Sequence, residues 1–132
     1  MSQTDPIADF LTRIRNALQA DHDAAVMPHS TFKAELARIL AEQGYVEAYS
    51  VEPARVGQNL RVTLKYTQQR KPVIAGMQRV SRPGRREYVK AQEVPKVQGG
   101  MGTTIVSPSR GVMTGHDARR AGVGGELVAK VW

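Results

Sequence analysis

Ile7, Phe10, Leu11, Ile14 and Leu18 recur at the spacing of one helix face. An Asp5-Pro6 pair ahead of them supplies an N-cap and a proline at the first helical position, so the chain is expected to open with an amphipathic helix. Its other faces carry Thr12, Arg13, Arg15 and Asn16, polar groups that face either water or a segment of nucleic acid. "AAVM" before Pro28 predicts a short strand. A second helix starts from Ser30 or Thr31, sets Phe32, Leu36, Ile39 and Leu40 to one side, and stops at Gly44. The period then changes from 3.6 to 2. "YVEAYSVE" and "NLRVTLKY", joined through "PARVGQ", read as two strands, and the second turns Leu60, Val62, Leu64 and Tyr66 one way and Arg61, Thr63 and Lys65 the other. That alternation describes a half-buried antiparallel sheet covered on one face by helices, an α+β unit.

The second half patterns differently. "VIAGMQRV" is an expected strand, "SRPGRRE" a basic turn, and "YVKAQEVPK" a stretch with room for one helical turn before Pro95. "TTIVS" and "GVMT" are expected strands around a Ser-Pro-Ser corner. Thr114 caps "GHDARRA", Gly122 ends it, and "ELVAKVW" closes as a strand. The expected architecture is α+β in two small packed domains. Residues 1–66 carry the helices and a small antiparallel sheet, 67–72 form a polar linker ending in proline, and 73–132 form a mostly β domain with one short helix.

Composition narrows the function classes. With no cysteine among 132 residues, disulfides, thiolate metal sites and cysteine nucleophiles are excluded. No signal-peptide pattern stands near the N-terminus, because "MSQTDPIADF" has two aspartates and no basic residue, and no apolar run is long enough to cross a bilayer. A cytosolic or organellar setting is expected. The net charge is +7, and its distribution says more than its total. Residues 1–60 hold 5 Lys+Arg against 8 Asp+Glu, or −3; residues 61–132 hold 14 against 4, or +10. Within 70–90, Arg70, Lys71, Arg79, Arg82, Arg85, Arg86 and Lys90 stand against Glu87 alone, a density that suits a polyanion.

Enzyme chemistry fits poorly. Ser107 or Ser109 with His116 and Asp117 supplies the residue types of a hydrolase, but adjacent His and Asp on one helix diverge by about 100° and cannot align as base and orienting acid. The Gly-x-Ser-x-Gly elbow is missing. His22, His29 and His116 lack metal-ligand spacing, and "GGMG" (99–102) lacks the lysine and hydroxyl of a phosphate loop, so it reads as a tight turn into a strand. Neither a catalytic residue, a metal nor a cofactor is expected. What remains is recognition: Gly111, Gly124 and Gly125 permit close backbone approach, Ser107, Ser109 and Thr114 offer short hydroxyls, and Tyr88 offers a ring for stacking. Irregular RNA exposes base edges and 2′-hydroxyls that match these groups. Glu126 either accepts from base amino groups, fixes a neighbouring arginine, or makes a plain ion pair at a strand end.

"DPIADFLTRIRNA" (5–17), "QRVSRPGRREY" (78–88), "GGMGTTIVSPSRGVMT" (99–114) and "ARRAGVGGELVAKVW" (118–132) together give the chain a resemblance, over essentially its whole length, to the bacterial ribosomal protein S8 family. The resemblance implies a structural protein of the small ribosomal subunit, in the cytoplasm or a plastid, that binds the central domain of small-subunit rRNA and helps its assembly. It further implies neighbouring small-subunit proteins as partners and, in some members, repression of the operon's own messenger RNA. By position it assigns RNA contacts to Ser107, Ser109, Gly124, Gly125, Glu126 and Tyr88. Arg82, Arg85 and Arg86 add basic contacts, and Thr12, Arg13 and Asn16 face a second RNA segment. Pro108 stands where the family usually has threonine, removing one hydroxyl and one N–H. Arg85 replaces a common apolar residue, Glu87 occupies a position usually apolar or basic, and Gly115 replaces a common acidic residue behind the helix cap.

Overall fold

Helix α1 (Pro6–Gln19) begins at the expected proline and buries Ile7, Phe10, Leu11, Ile14 and Ala17. The computed structural model describes residues 5–97, 101–109 and 111–132. Residues 1–4 of the expected N-terminal domain and Gly99 and Gly100 of the "GGMG" turn lie outside the described residues. Strand β1 (Ala24–Pro28) leads to helix α2 (Thr31–Glu42), whose N-cap is Ser30, with its hydroxyl oxygen accepting from the Lys33 N–H at 3.1 Å. Strands β2 (Val46–Pro53) and β3 (Gln58–Leu64) complete an antiparallel sheet in the order β1-β3-β2. Register places Met27 and Val51 opposite Leu60, and Ala25 and Tyr49 opposite Val62. Leu60, Val62 and Leu64 therefore line the face on which the helices pack, as their alternation requires. Lys33, in the first turn of α2, is buried and donates to the Pro28 carbonyl at 3.2 Å, with Asp9 at 3.7 Å.

The chain folds as two compact units, one of Pro6–Ile74 and a second of Asp5 with Ala75–Trp132. In the first unit the polar stretch after β3 folds into a tight hairpin. Tyr66 bridges Pro72, and Thr67 N–H and Arg70 N–H donate to the Lys71 and Thr67 carbonyls. Arg70 fastens that hairpin to the corner between α1 and β1, bonding Asp21 at 2.7 Å and Asp23 at 2.8 Å while its guanidinium lies 4.0 Å over the Tyr66 ring.

The second unit is mostly strand. Strands β4 (Met77–Arg79), β5 (Tyr88–Val89), β6 (Thr103–Ser107), β7 (Met113–Thr114) and β8 (Gly125–Val131) form one antiparallel sheet in the order β4-β8-β6-β7, with β5 also paired to β8. The spine is β8, flanked by β4 and β5 on one edge and β6 on the other. Helix α3 (Gly115–Ala121) is capped as expected: Thr114 accepts from the Asp117 N–H at 3.1 Å, and Gly122 ends it at φ 71°. Ala118 packs with Val94, Val106 and Leu127 into the core. A single 3-10 turn, Ala91–Glu93, occupies the stretch before Pro95.

One strand is shorter than its pattern. "VIAGMQRV" is regular strand only over Met77–Arg79: ahead of it Gly76 and Trp132 exchange N–H···O bonds of 3.0 Å, but the Ala75 N–H turns to the same Trp132 carbonyl at 2.7 Å and ends the ladder there, and beyond it the Val80 N–H still bonds the Val128 carbonyl at 3.0 Å. The Trp132 ring occupies the space a side chain on Gly76 would need, 2.5 Å from an ideal Cβ. Gly115 is likewise fixed by packing: a Cβ there would overlap the Thr104 hydroxyl and come within 2.6 Å of Val94 Cγ1.

Candidate nucleic-acid interface

Pairing on both sides of β8 sets Tyr88, Glu126 and Ser107 directly opposite one another, Tyr88↔Glu126 through β5 and Ser107↔Glu126 through β6. Residues opposed in this way share a face, so three of the expected site residues stand in a row across the sheet. Tyr88 is 71% exposed and its ring is open for stacking. The Glu126 side chain is only 18% exposed, and its Oε2 receives both the Ser81 hydroxyl at 2.6 Å and Arg86 Nη1 at 2.8 Å. Burial raises the Glu126 pKa, but the hydrogen bonds from Ser81 and Arg86 and the charges of Arg86 and Arg79 outweigh it, so the carboxyl is held below its ordinary range. The Glu126 hydrogen bond in turn makes Arg86 a weaker acid than usual.

Ser81 is fully buried and was not singled out by the sequence. Its hydroxyl donates to Glu126 and accepts from the Glu87 N–H at 3.1 Å, tying the basic turn to the spine. A serine inside a run of arginines gives no periodic signal. Only the pairing of Ser81 N–H with the Leu127 carbonyl, 3.0 Å, brings it beside Glu126.

The two glycines of the site meet their own chain. A Cβ on Gly125 would stand 2.6 Å from the Ser107 carbonyl oxygen and 2.7 Å from Pro108, and a Cβ on Gly124 would overlap the Val89 carbonyl. Both positions thus let β5 and the Ser-Pro-Ser corner close on the start of β8. Gly111 is different, at φ 97° with open space around it, a turn conformation that favours glycine. Ser107 donates to the Gly111 carbonyl at 3.2 Å across this corner, and Ser109 is exposed in the turn.

A sequence model of the family described as "Ribosomal protein S8" matches residues 5–132. The chain belongs to the ribosomal protein S8 family. It is 51% identical to "Small ribosomal subunit protein uS8" of Streptomyces griseus and 52% identical to the protein of the same name in Corynebacterium efficiens, each over 132 residues and the full length of both chains. Members of the S8 family are structural ribosomal proteins, not enzymes. The corner chemistry agrees with that: the Ser107 hydroxyl proton is directed to a backbone carbonyl, not to an imidazole that would activate it.

Among the S8-type positions, the arginines of "SRPGRRE" separate. Arg86 joins Glu126, whereas Arg82 and Arg85 sit opposite each other at the base of a Pro83-Gly84 turn, their backbones exchanging hydrogen bonds of 3.1 and 2.9 Å. Arg79, from the same basic run, is 8% exposed in its side chain and committed to Asp5 at 3.2 Å and the Val128 carbonyl at 2.8 Å. Thr12, Arg13 and Asn16 are exposed on α1, in the other unit. Arg13 bonds Asp9 at 3.0 Å and the Val26 carbonyl at 3.2 Å, which holds its guanidinium on its own unit. No helix among the described residues is long and apolar enough to cross a membrane.

Proposed function

We propose that this protein is a constituent of the small ribosomal subunit that binds the central domain of small-subunit rRNA and helps that domain assemble, with neighbouring small-subunit proteins as further partners. The observation that carries the reading is the row Tyr88–Glu126–Ser107, in which a stacking ring, a fixed acceptor and a hydroxyl corner stand side by side on a cationic sheet. Phosphate neutralisation by the basic turn supplies affinity for any RNA, and the row, with Ser109 at its corner and Gly124 and Gly125 letting it close, supplies selectivity. Glu126 suits a base amino group or a 2′-hydroxyl and repels phosphate, so it discriminates where arginine does not. The exposed Thr12 and Asn16 of α1 are proposed to meet a second RNA segment.

The test is equilibrium binding to a transcript of the central domain and to a scrambled control across salt concentrations. Glu126→Ala and Ser109→Ala lower affinity for the transcript more than for the control. Arg82→Ala weakens both and reduces the log–log salt slope by up to about 0.7–0.9, one phosphate's share. Equal losses on both RNAs for all three variants would remove the selectivity claim, and failure of the tagged protein to sediment with small subunits would remove the assignment itself.

A further inference from the structure

Arg82 and Arg85 face one another across their turn with no side-chain hydrogen bond or ion pair to another described residue, and like charges directly opposite destabilise a strand pair. Beside them opens a cleft of about 360 Å³ at the β4 edge of the sheet, lined by Gln78, Arg79, Arg82, Arg85, Glu87 and Lys130. Arg79 is occupied by Asp5 and Val128, so the cations available to a ligand are Arg82, Arg85 and Lys130, against the single carboxylate of Glu87. The cleft falls within the roughly 300–1,000 Å³ that small-ligand sites span. Its lining is not that of an apolar pocket. Three cations bring a phosphate, whereas Glu87 and Gln78 bring an acceptor and an amide that suit a hydroxyl or a base edge and oppose a second phosphate nearby.

We infer that this cleft is a second RNA subsite, seating one nucleotide of a strand that passes the β4 edge, its phosphate held between Arg82, Arg85 and Lys130 and its sugar or base meeting Glu87 and Gln78. The inference rests on the RNA-binding reading above and goes beyond it. The basic turn serves two places: Arg86 belongs to the Glu126 row, and Arg82 and Arg85 belong to the cleft, with Lys130 recruited from the far end of β8. Local sequence gives Lys130 no link to the turn, because it lies 45 residues beyond Arg85 and reaches the cleft only through the pairing of β8 with β4.

Binding to the central-domain transcript, read with thermal unfolding of the free protein, tests this. Arg82→Ala, Arg85→Ala and Lys130→Ala each reduce affinity several-fold and lower the salt slope by part of one phosphate's share, the three replacements together by about 0.7–0.9, while the free protein melts at the same or a higher temperature because cation repulsion is relieved. Glu87→Gln leaves the slope unchanged and narrows the preference for the transcript over the scrambled control. Unchanged affinity and slope in Lys130→Ala, with Glu126→Ala still losing selectivity, would overturn the cleft and spare the row; an anionic protein segment would then be its better occupant. Absence of wild-type binding to the transcript would bring down both readings.

Discussion

Ser81 and Glu126 show how a single hydroxyl organises a surface. Replacing Ser81 with Ala leaves the Glu87 N–H without its acceptor and the Glu126 carboxylate without its shortest donor. The expected cost is about 1–3 kcal/mol in urea unfolding. The pH behaviour of Glu126 has a definite sign. Its pKa is lowered in the folded protein, so the ionised form stabilises the fold fully above the ordinary glutamate value, and the contribution is lost as pH falls from there through the lowered value. Wild type is therefore expected to exceed Glu126→Gln in stability at neutral pH by a margin that closes on acidification. Urea midpoints of the two proteins along a pH series measure it, and a margin that stays constant would show that ionisation of Glu126 is not involved. The sequence leaves three roles open for Glu126. In the structure one oxygen, Oε2, takes both the arginine and the Ser81 hydroxyl, so Glu126 fixes Arg86, a role that stands beside the contact to RNA proposed for it.

At the scale of elements, glycines mark where segments touch. Ala is the better helix former, yet Gly115→Ala is expected to destabilise by about 1–3 kcal/mol, because the new methyl meets Thr104 and Val94 at the first turn of α3. Denaturant unfolding checks it, and a stabilised variant would show that propensity outweighs the contact. Both helices of the first unit, the Ser30 cap of the second, the β2–β3 pair and the capped α3 were legible, since each is written in local periodicity with a start or stop residue beside it. What local pattern did not carry was pairing. Tyr88, Glu126 and Ser107 lie far apart in sequence, and only the register of β8 with β5 and β6 makes them neighbours. The expected strand over 73–80 ends early for the same reason, because the Ala75 and Gly76 N–H groups share one distant acceptor, the Trp132 carbonyl, which no local pattern announces.

Across the molecule, charge is informative only after pairing is subtracted. Arg38 is bound to Glu35 and Glu42, Arg61 to Glu52 and Arg70 to Asp21 and Asp23, so these cations of the first unit are turned onto its own carboxylates. Arg61→Ala is accordingly expected to leave RNA affinity and its salt slope unchanged, in contrast to Arg82→Ala. The same binding titration separates them, and equal losses would mean that net charge rather than placement governs association. The position of β8 has a consequence in time. Every strand that flanks it is made before it, so during synthesis β4, β5 and β6 wait for their shared neighbour, whereas the helices and three strands of Pro6–Ile74 have all their partners much earlier. A nascent chain halted before Gly125 would carry a finished first unit and lack the Tyr88–Glu126–Ser107 row, which comes into being only once β8 has been made.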